Sequence, residues 1–262
     1  MSALPLSDLL LRLEELAPPA AAAAWDNVGL LLEPARPAKV QRILLTLDLT
    51  EAVVEEALKW RPQLIISYHP PIFRGLKSLT LSQPLTAPLL RLLEAGVAVY
   101  SPHTALDAAE DGMSDWLCGV VAHSAMERID GSARLLTLDP PLSLPELAAA
   151  VTAFLELPYL RLAKAPKNRR KIRTLALCPG AGAQVLADIP ADAVLTGEMK
   201  HHDLLAFMRA GRHVLISEHT HTERPYLTVY RRRLLEKLPG GIEIRCARGD
   251  QDPVELVLTG YA

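Results

Sequence analysis

The chain has 262 residues, 50 % of them hydrophobic, with 28 Lys and Arg against 30 Asp and Glu. That is ample for a packed core in one large domain or two small ones. A net charge of -2 supplies no global field toward nucleic acid or an anionic membrane, so any bound anion has to be held by local groups.

The first stretch, MSALPLSDLLLRLEELAPP, has no basic residue ahead of its apolar run and carries Asp8, Glu14 and Glu15. It reads as an amphipathic helix starting near Ser7 and not as a secretory signal. The Ala20 to Ala24 tract falls well short of the roughly 20 apolar residues a membrane span needs. Cys118, Cys178 and Cys246 are odd in number, far apart and outside any CxxC pair, so neither a disulfide framework nor a thiolate zinc site is indicated. A soluble protein of the reducing cytoplasm, with no membrane partner, is expected.

In WDNVGLL (25 to 31), Asp26, Asn27 and Gly29 read as a tight turn and Trp25 as a residue buried against the core. RILLTLDL (42 to 49) reads as a strand, EAVVEEALKW (51 to 60) as a helix and LIIS (64 to 67) as a strand. A helix over about 85 to 95, a strand VAVYS (97 to 101) and a helix near 111 to 122 follow. Such alternation favours parallel strands, because the intervening helix supplies the crossover that parallel neighbours need.

After Ala122 the pattern changes. A short strand at 133 to 138 meets the breaker DPP (139 to 141), and a helix covers 144 to 156. A basic connection, KAPKNRRKIR (164 to 173), feeds a strand at 174 to 178 that runs into PGAGA. Strand 193 to 196, helix 198 to 210, strand 213 to 217, a helix from about 224 to 236 and strand 242 to 246 complete the chain. The fold expected is α/β, with two α/β/α lobes. Residues 1–125 form the first lobe, completed by the C-terminal segment 220–262, and 126–219 form the second.

Of eight histidines, six (69, 103, 201, 202, 219 and 221) fall just after the carboxyl end of an expected strand or in the next helical turn. Asp107, Glu198 and Glu223 follow the same rule. Carboxyl ends of strands border the ligand crevice in open α/β sheets, so this clustering is spatial as well as sequential. Imidazole and carboxylate together suit zinc, iron, manganese or nickel. His219 and Glu223, in EHTHTER (218 to 224), are spaced to meet on one helical face or across an extended turn. SYHPPIF (67 to 73) presents His69 from a strand end stiffened by Pro70 and Pro71. SPHTALDAAEDG (101 to 112) repeats that design with His103 and Asp107. CPGAGAQVL (178 to 186) lacks the lysine and hydroxyl of a P-loop and reads as a turn.

WDNVGLL, SYHPPIF, SPHTALDAAEDGMSDWL, LTGEMKHHD and EHTHTER together resemble the Nif-three-like dinuclear-metal proteins, also called GTP cyclohydrolase I type 2 homologues. The resemblance runs from residue 25 to 224. It implies a metal site in the cleft between the lobes, with His69, Asp107, His219 and Glu223 as ligands and Glu223 touching both of two divalent ions. Many bacterial members carry two adjacent histidines where this chain has Tyr68 and His69. Tyr68 resembles the eukaryotic-type variant and leaves open whether one ion binds or two, since a phenol with a reference pKa near ~10 is a poor ligand. His103, Glu198, His201 and His202 match other recurrent positions and are expected beside the ligands or substrate, with His103 and His202 as candidates for proton transfer.

Three readings of function stand at this level. One is a metal-dependent hydrolase, GTP cyclohydrolase-like or acting on related nucleotides or amides through metal-activated water. Another is a non-catalytic, metal-stabilised interaction protein, assembled as the ring-shaped homohexamer, a trimer of dimers, that the resemblance implies. The third is a nucleic-acid-binding ring using Lys164, Lys167, Arg169, Arg170, Lys171 and Arg173, a run without a neighbouring aromatic platform.

Overall fold

The computed structural model describes residues 3–36, 38–166 and 170–257. Lys167 and Arg169 of the basic run lie outside them. In chain order the first elements are α1 (Leu6–Leu16), β1 (Gly29–Leu32), β2 (Arg42–Thr46), α2 (Glu51–Trp60), β3 (Leu64–Ser67), α3 (Ala87–Glu94) and β4 (Ala98–Ser101). There follow α4 (His103–Ala108), α5 (Met113–Leu117), β5 (His123–Ile129), β6 (Ala133–Leu142), α6 (Leu144–Phe154), β7 (Arg161–Ala163) and β8 (Ile172–Cys178). The last are α7 (Ala183–Leu186), β9 (Ala193–Thr196), α8 (His201–Arg209), β10 (His213–Ile216), α9 (Tyr226–Lys237) and β11 (Glu243–Cys246).

The strands form two sheets, ordered β1-β4-β3-β2-β11 and β5-β6-β8-β9-β10-β7. In the first, β4, β3, β2 and β11 are parallel and β1 is an antiparallel edge. Alternation of side chains across the sheet builds two cores. Ile43, Leu45, Leu64, Ile66, Ala98 and Tyr100 face α1 and α9, where Leu9, Leu13, Tyr226, Tyr230 and Leu234 lie buried. Leu44, Ile65 and Val99 face the other way, onto Val53, Val54 and Ala57 of α2 and Leu89 and Leu92 of α3. Both faces are covered, which is why these strands read as unbroken apolar runs.

The second sheet repeats the layering. Leu136, Leu175, Leu177, Leu195 and Leu215 pack on Leu147 and Val151 of α6. Ala176, Val194, Val214 and Ile216 pack on Leu186 of α7 and Phe207 of α8. The mixed α/β fold with two layered lobes is thus as the sequence predicts. No helix among the described residues is long and apolar enough to cross a membrane.

Four local expectations are corrected. Strand β6 runs through Asp139, Pro140 and Pro141, where the pairing of residues 134–137 with β8 breaks off and resumes only at Leu142 after a register shift. β1, β5 and β7 were not expected. The helix expected over 111 to 122 is shorter and is preceded by α4, which itself contains His103 and Asp107. Trp25 is not core: it is 64 % exposed.

The lobes are joined by Arg134. It is fully buried on β6, yet its guanidinium reaches Asp115 Oδ1 at 2.6 Å and the Asp107 carbonyl at 3.0 Å. It donates as well to the carbonyls of Gly131 and Ala133. Ala105, Leu106 and Met113, on the helices so held, belong to the core of the first sheet.

Candidate metal centre

Strand β3 ends at Ser67, but its ladder continues: Tyr68 N donates to Thr46 O and His69 N to Leu47 O, both at 2.9 Å. The imidazole of His69 is thereby aimed from a fixed backbone. Its Nδ1 lies 2.8 Å from Asp48 Oδ1 and its Nε2 3.5 Å from Glu223 Oε2. Asp48 sits just past the end of the neighbouring strand β2. The sequence hides it, since the apolar run around it extends the expected strand to 49. Its position after a parallel strand was the available signal.

The second sheet supplies the other candidate ligands. Beyond β10, Glu218 adopts a positive φ of 70° and the chain tightens into a 3-10 turn at Thr220–Thr222. That turn, and not an early start of α9, brings His219 Nε2 to 3.2 Å from Glu223 Oε1. His219 Nδ1 is 3.3 Å from Glu198 Oε1. The ligand atoms of His69, His219 and Glu223 all lie within 4.8 Å of one another.

The PGAGA turn forms a wall of this site. Gly180 has φ +61°, and a Cβ there would stand 2.5 Å from Glu223 Oε1 and 3.1 Å from His219 Nε2. Its N–H donates to Thr222 Oγ1 at 2.8 Å, and its carbonyl accepts from Thr196 Oγ1 at 2.9 Å and Glu198 N at 3.0 Å. Only a residue without a side chain satisfies both the conformation and the space.

These residues fit a cation. Glu223 is 3 % exposed, and its Oε2 has no hydrogen-bond partner. A buried carboxylate oxygen without a donor is costly, and a positive ion answers it. Ligands around a tetrahedral zinc with bonds near ~2.05 Å sit about 3.3 Å apart. The imidazole-to-carboxylate separations, 3.5 Å from His69 to Oε2 and 3.2 Å from His219 to Oε1, are of that size. Two imidazoles and a carboxylate suit zinc or iron among divalent ions.

The charges are mutually supporting. Burial disfavours a charged His69, but its hydrogen bond to Asp48 and the nearby Glu223 carboxylate prevail and lift its pKa to about 10. The bond to Glu223 likewise raises His219. Burial would raise Glu223, and the two imidazoles hold it below the usual carboxylate range instead. A proton on His69 thus occupies the role a cation would take, so ion binding displaces it.

Asp107 is not part of this group of three. It is 5 % exposed, and its Oδ1 accepts the Tyr68 hydroxyl at 2.7 Å. Burial raises its pKa to about 7 despite that bond. Burial, with Asp107 and Glu223 nearby, pushes the Tyr68 phenol well above its ordinary value. His103 is brought to the site mouth, its ring 5.5 Å from that of His69. Its Nδ1 is 2.7 Å from Asp26 Oδ1, and Asp26 has no exposed side-chain surface. Thr104 N and Oγ1 hold the other Asp26 oxygen. The WDNVGLL motif, expected to be purely structural, therefore orients a histidine. Trp25 and Phe73 flank it, with ring centroids 6.0 and 6.5 Å from that of His103. His201 and His202 are exposed at the start of α8 and stack on each other at 5.4 Å. Neither has a hydrogen bond or ion pair to the three ligands. His221 turns away, its Nδ1 to the Ser217 carbonyl and its Nε2 toward Asp252.

Comparison with known proteins places the chain in a family. The DUF34/NIF3 family, described as NGG1p interacting factor 3, matches residues 4–253. The NIF3 homolog of Schizosaccharomyces pombe is 40 % identical over 225 residues, covering 80 % of this chain and 81 % of that protein. Human NIF3-like protein 1 is 31 % identical and covers 98 % of this chain and 93 % of that protein. Among solved structures, reduced HcgD from Methanocaldococcus jannaschii superposes with a TM-score of 0.84 at 21 % identity, covering 95 % of this chain and 99 % of that one. A Bacillus cereus protein related to NIF3 gives the same TM-score at 18 % identity, covering 98 % and 100 %. At these identities the solved structures speak for the fold, while the family match and the yeast and human relatives carry the conclusion that the chain belongs to the DUF34/NIF3 family.

Proposed function

We propose that this chain is a metal-dependent hydrolase acting on a nucleotide or a related cyclic amide, as in ring opening of the GTP cyclohydrolase kind. One observation carries the reading: a three-ligand His, His, Glu group lies beside a histidine that Asp26 orients and whose Nε2 has no hydrogen-bond partner among the described residues. A divalent ion there supplies Lewis acidity and draws the pKa of water toward ~7. His69, His219 and Glu223 hold it, Asp48 and Glu198 fix the two imidazoles, and His103 moves the proton at Nε2. Trp25 and Phe73, exposed beside His103, offer faces for a flat ring. The cytoplasm is the compartment proposed, supported by three unpaired cysteines.

Metal-reconstituted protein assayed over nucleotides, phosphoesters and cyclic amides is expected to turn over one class. His103→Gln is expected to lower kcat by about 10²- to 10⁴-fold with metal content unchanged. Activity untouched by His103→Gln would remove its role.

A second reading, self-association into the homohexamer, is favoured by Phe73, Leu79, Leu81 and Leu85, which stand 47 to 75 % exposed on one connection. Light scattering on Leu81→Glu with Leu85→Glu tests it, a smaller assembly being the expected result.

A further inference from the structure

Two buried carboxylates face the site, and they differ in what satisfies them. Glu223 keeps one oxygen without any donor. Asp107 gives Oδ1 to the Tyr68 hydroxyl at 2.7 Å. Tyr68 is itself 2 % exposed, its carbonyl accepts Ser101 Oγ at 2.8 Å, and its ring lies 4.9 Å from that of His69 and 5.3 Å from that of His103. It is wedged between the strand exits and cannot swing out without opening the core.

A second ion beside the first would need ligands beyond a shared Glu223. Among the described residues one group of three His, Cys, Asp or Glu side chains has the required mutual spacing, and Asp107 and His103 are outside it. His103 spends Nδ1 on Asp26. The space next to Asp107 is taken by a neutral phenol, which donates a proton to the carboxylate where a cation would accept its electrons.

We propose that this chain holds one divalent ion, on His69, His219 and Glu223, and that the Tyr68 to Asp107 hydrogen bond stands in place of a second. The inference rests on the metal reading of those three residues but not on any catalytic activity. The chemistry at the site is then that of a single Lewis acid, and Asp107 is a buried acceptor for Tyr68 instead of a ligand.

The test is stoichiometry. Whole protein is stripped with chelator, loaded with excess zinc, desalted and measured for zinc per chain by mass spectrometry. Cobalt titration followed by visible absorption supplies an independent end point. Wild type is expected to retain one equivalent, with the absorption breaking at one. Tyr68→Phe, which offers no ligand, is expected to stay at one. Tyr68→His, which puts an imidazole beside Asp107, is expected to reach two. Two equivalents in wild type would overturn the inference while leaving the metal site standing, and so would Tyr68→His that keeps native circular dichroism yet stays at one. Zero in wild type would sink the metal reading itself.

Discussion

The two sides of the cleft present their imidazoles in different ways. His69 is an extension of a strand ladder, and its Nδ1 is 2.8 Å from Asp48. His219 stands at the head of a 3-10 turn, and its Nδ1 is 3.3 Å from Glu198, whose side chain is 57 % exposed. The first side is rigid because its backbone bonds are those of a sheet. The second is set by a loop and by the Gly180 turn that it leans on, so it has the latitude to adjust to an ion. The difference also follows the sequence: a Pro-Pro exit on one side, small and polar residues on the other.

The largest way to break this arrangement is to cut the link between its sides. Asp115→Ala leaves the buried Arg134 charge short of its carboxylate, and about 3–5 kcal/mol of stability should go, read from chemical denaturation. A pH series sharpens it. Burial would raise the Asp115 pKa, but Arg128 and Arg134 hold it below the usual range. Its contribution is therefore fully present above the unfolded pKa near ~4 and disappears as pH falls through the lower folded value. In chelator, wild type should lose more stability than Asp115→Asn over that acid window. Parallel curves would show that the pair contributes nothing.

Next in size is Gly180→Ala. Its methyl would sit against Glu223 and His219, so zinc affinity should fall by more than the roughly 10- to 100-fold that outer hydrogen-bond partners command. Competition with a chromogenic chelator measures it, and an unchanged constant would remove Gly180 from the site. The comparison of the two imidazoles gives the smallest effects. Asp48→Ala should weaken zinc by about 10- to 100-fold, and Glu198→Ala by about 10-fold or less. If Glu198→Ala proves the more damaging, the side described as adjustable is the one that sets affinity.

Much of this fold was legible because the strands are buried on both faces. LIIS and AVLT could be bounded to the residue, as the structure has both at Leu64–Ser67 and Ala193–Thr196. The edge strands were not. HSAMERI of β5 alternates weakly and is largely exposed, so no periodic signal marked it. At the site, His69, His219 and Glu223 were legible from their places after strands. Asp48 and Asp26 were not, because their roles come from pairing with histidines 21 and 77 positions away. For Asp107 the position after a strand fits the pattern, and only the structure shows that its Oδ1 accepts the Tyr68 hydroxyl. His202 follows a strand as well, yet it sits on the outward turn of α8, where helical phase and not strand order governs direction.

Arg134 has a consequence for how anything reaches the cleft. Prising the lobes apart would break the Arg134 to Asp115 ion pair and its bond to the Asp107 carbonyl, at a penalty of up to about 3–5 kcal/mol. A clamshell opening would then be populated by fewer than about one molecule in a hundred. Whatever meets His103 in the closed molecule therefore also meets the exposed rings of Trp25 and Phe73, whose centroids stand 5.9 Å apart beside it.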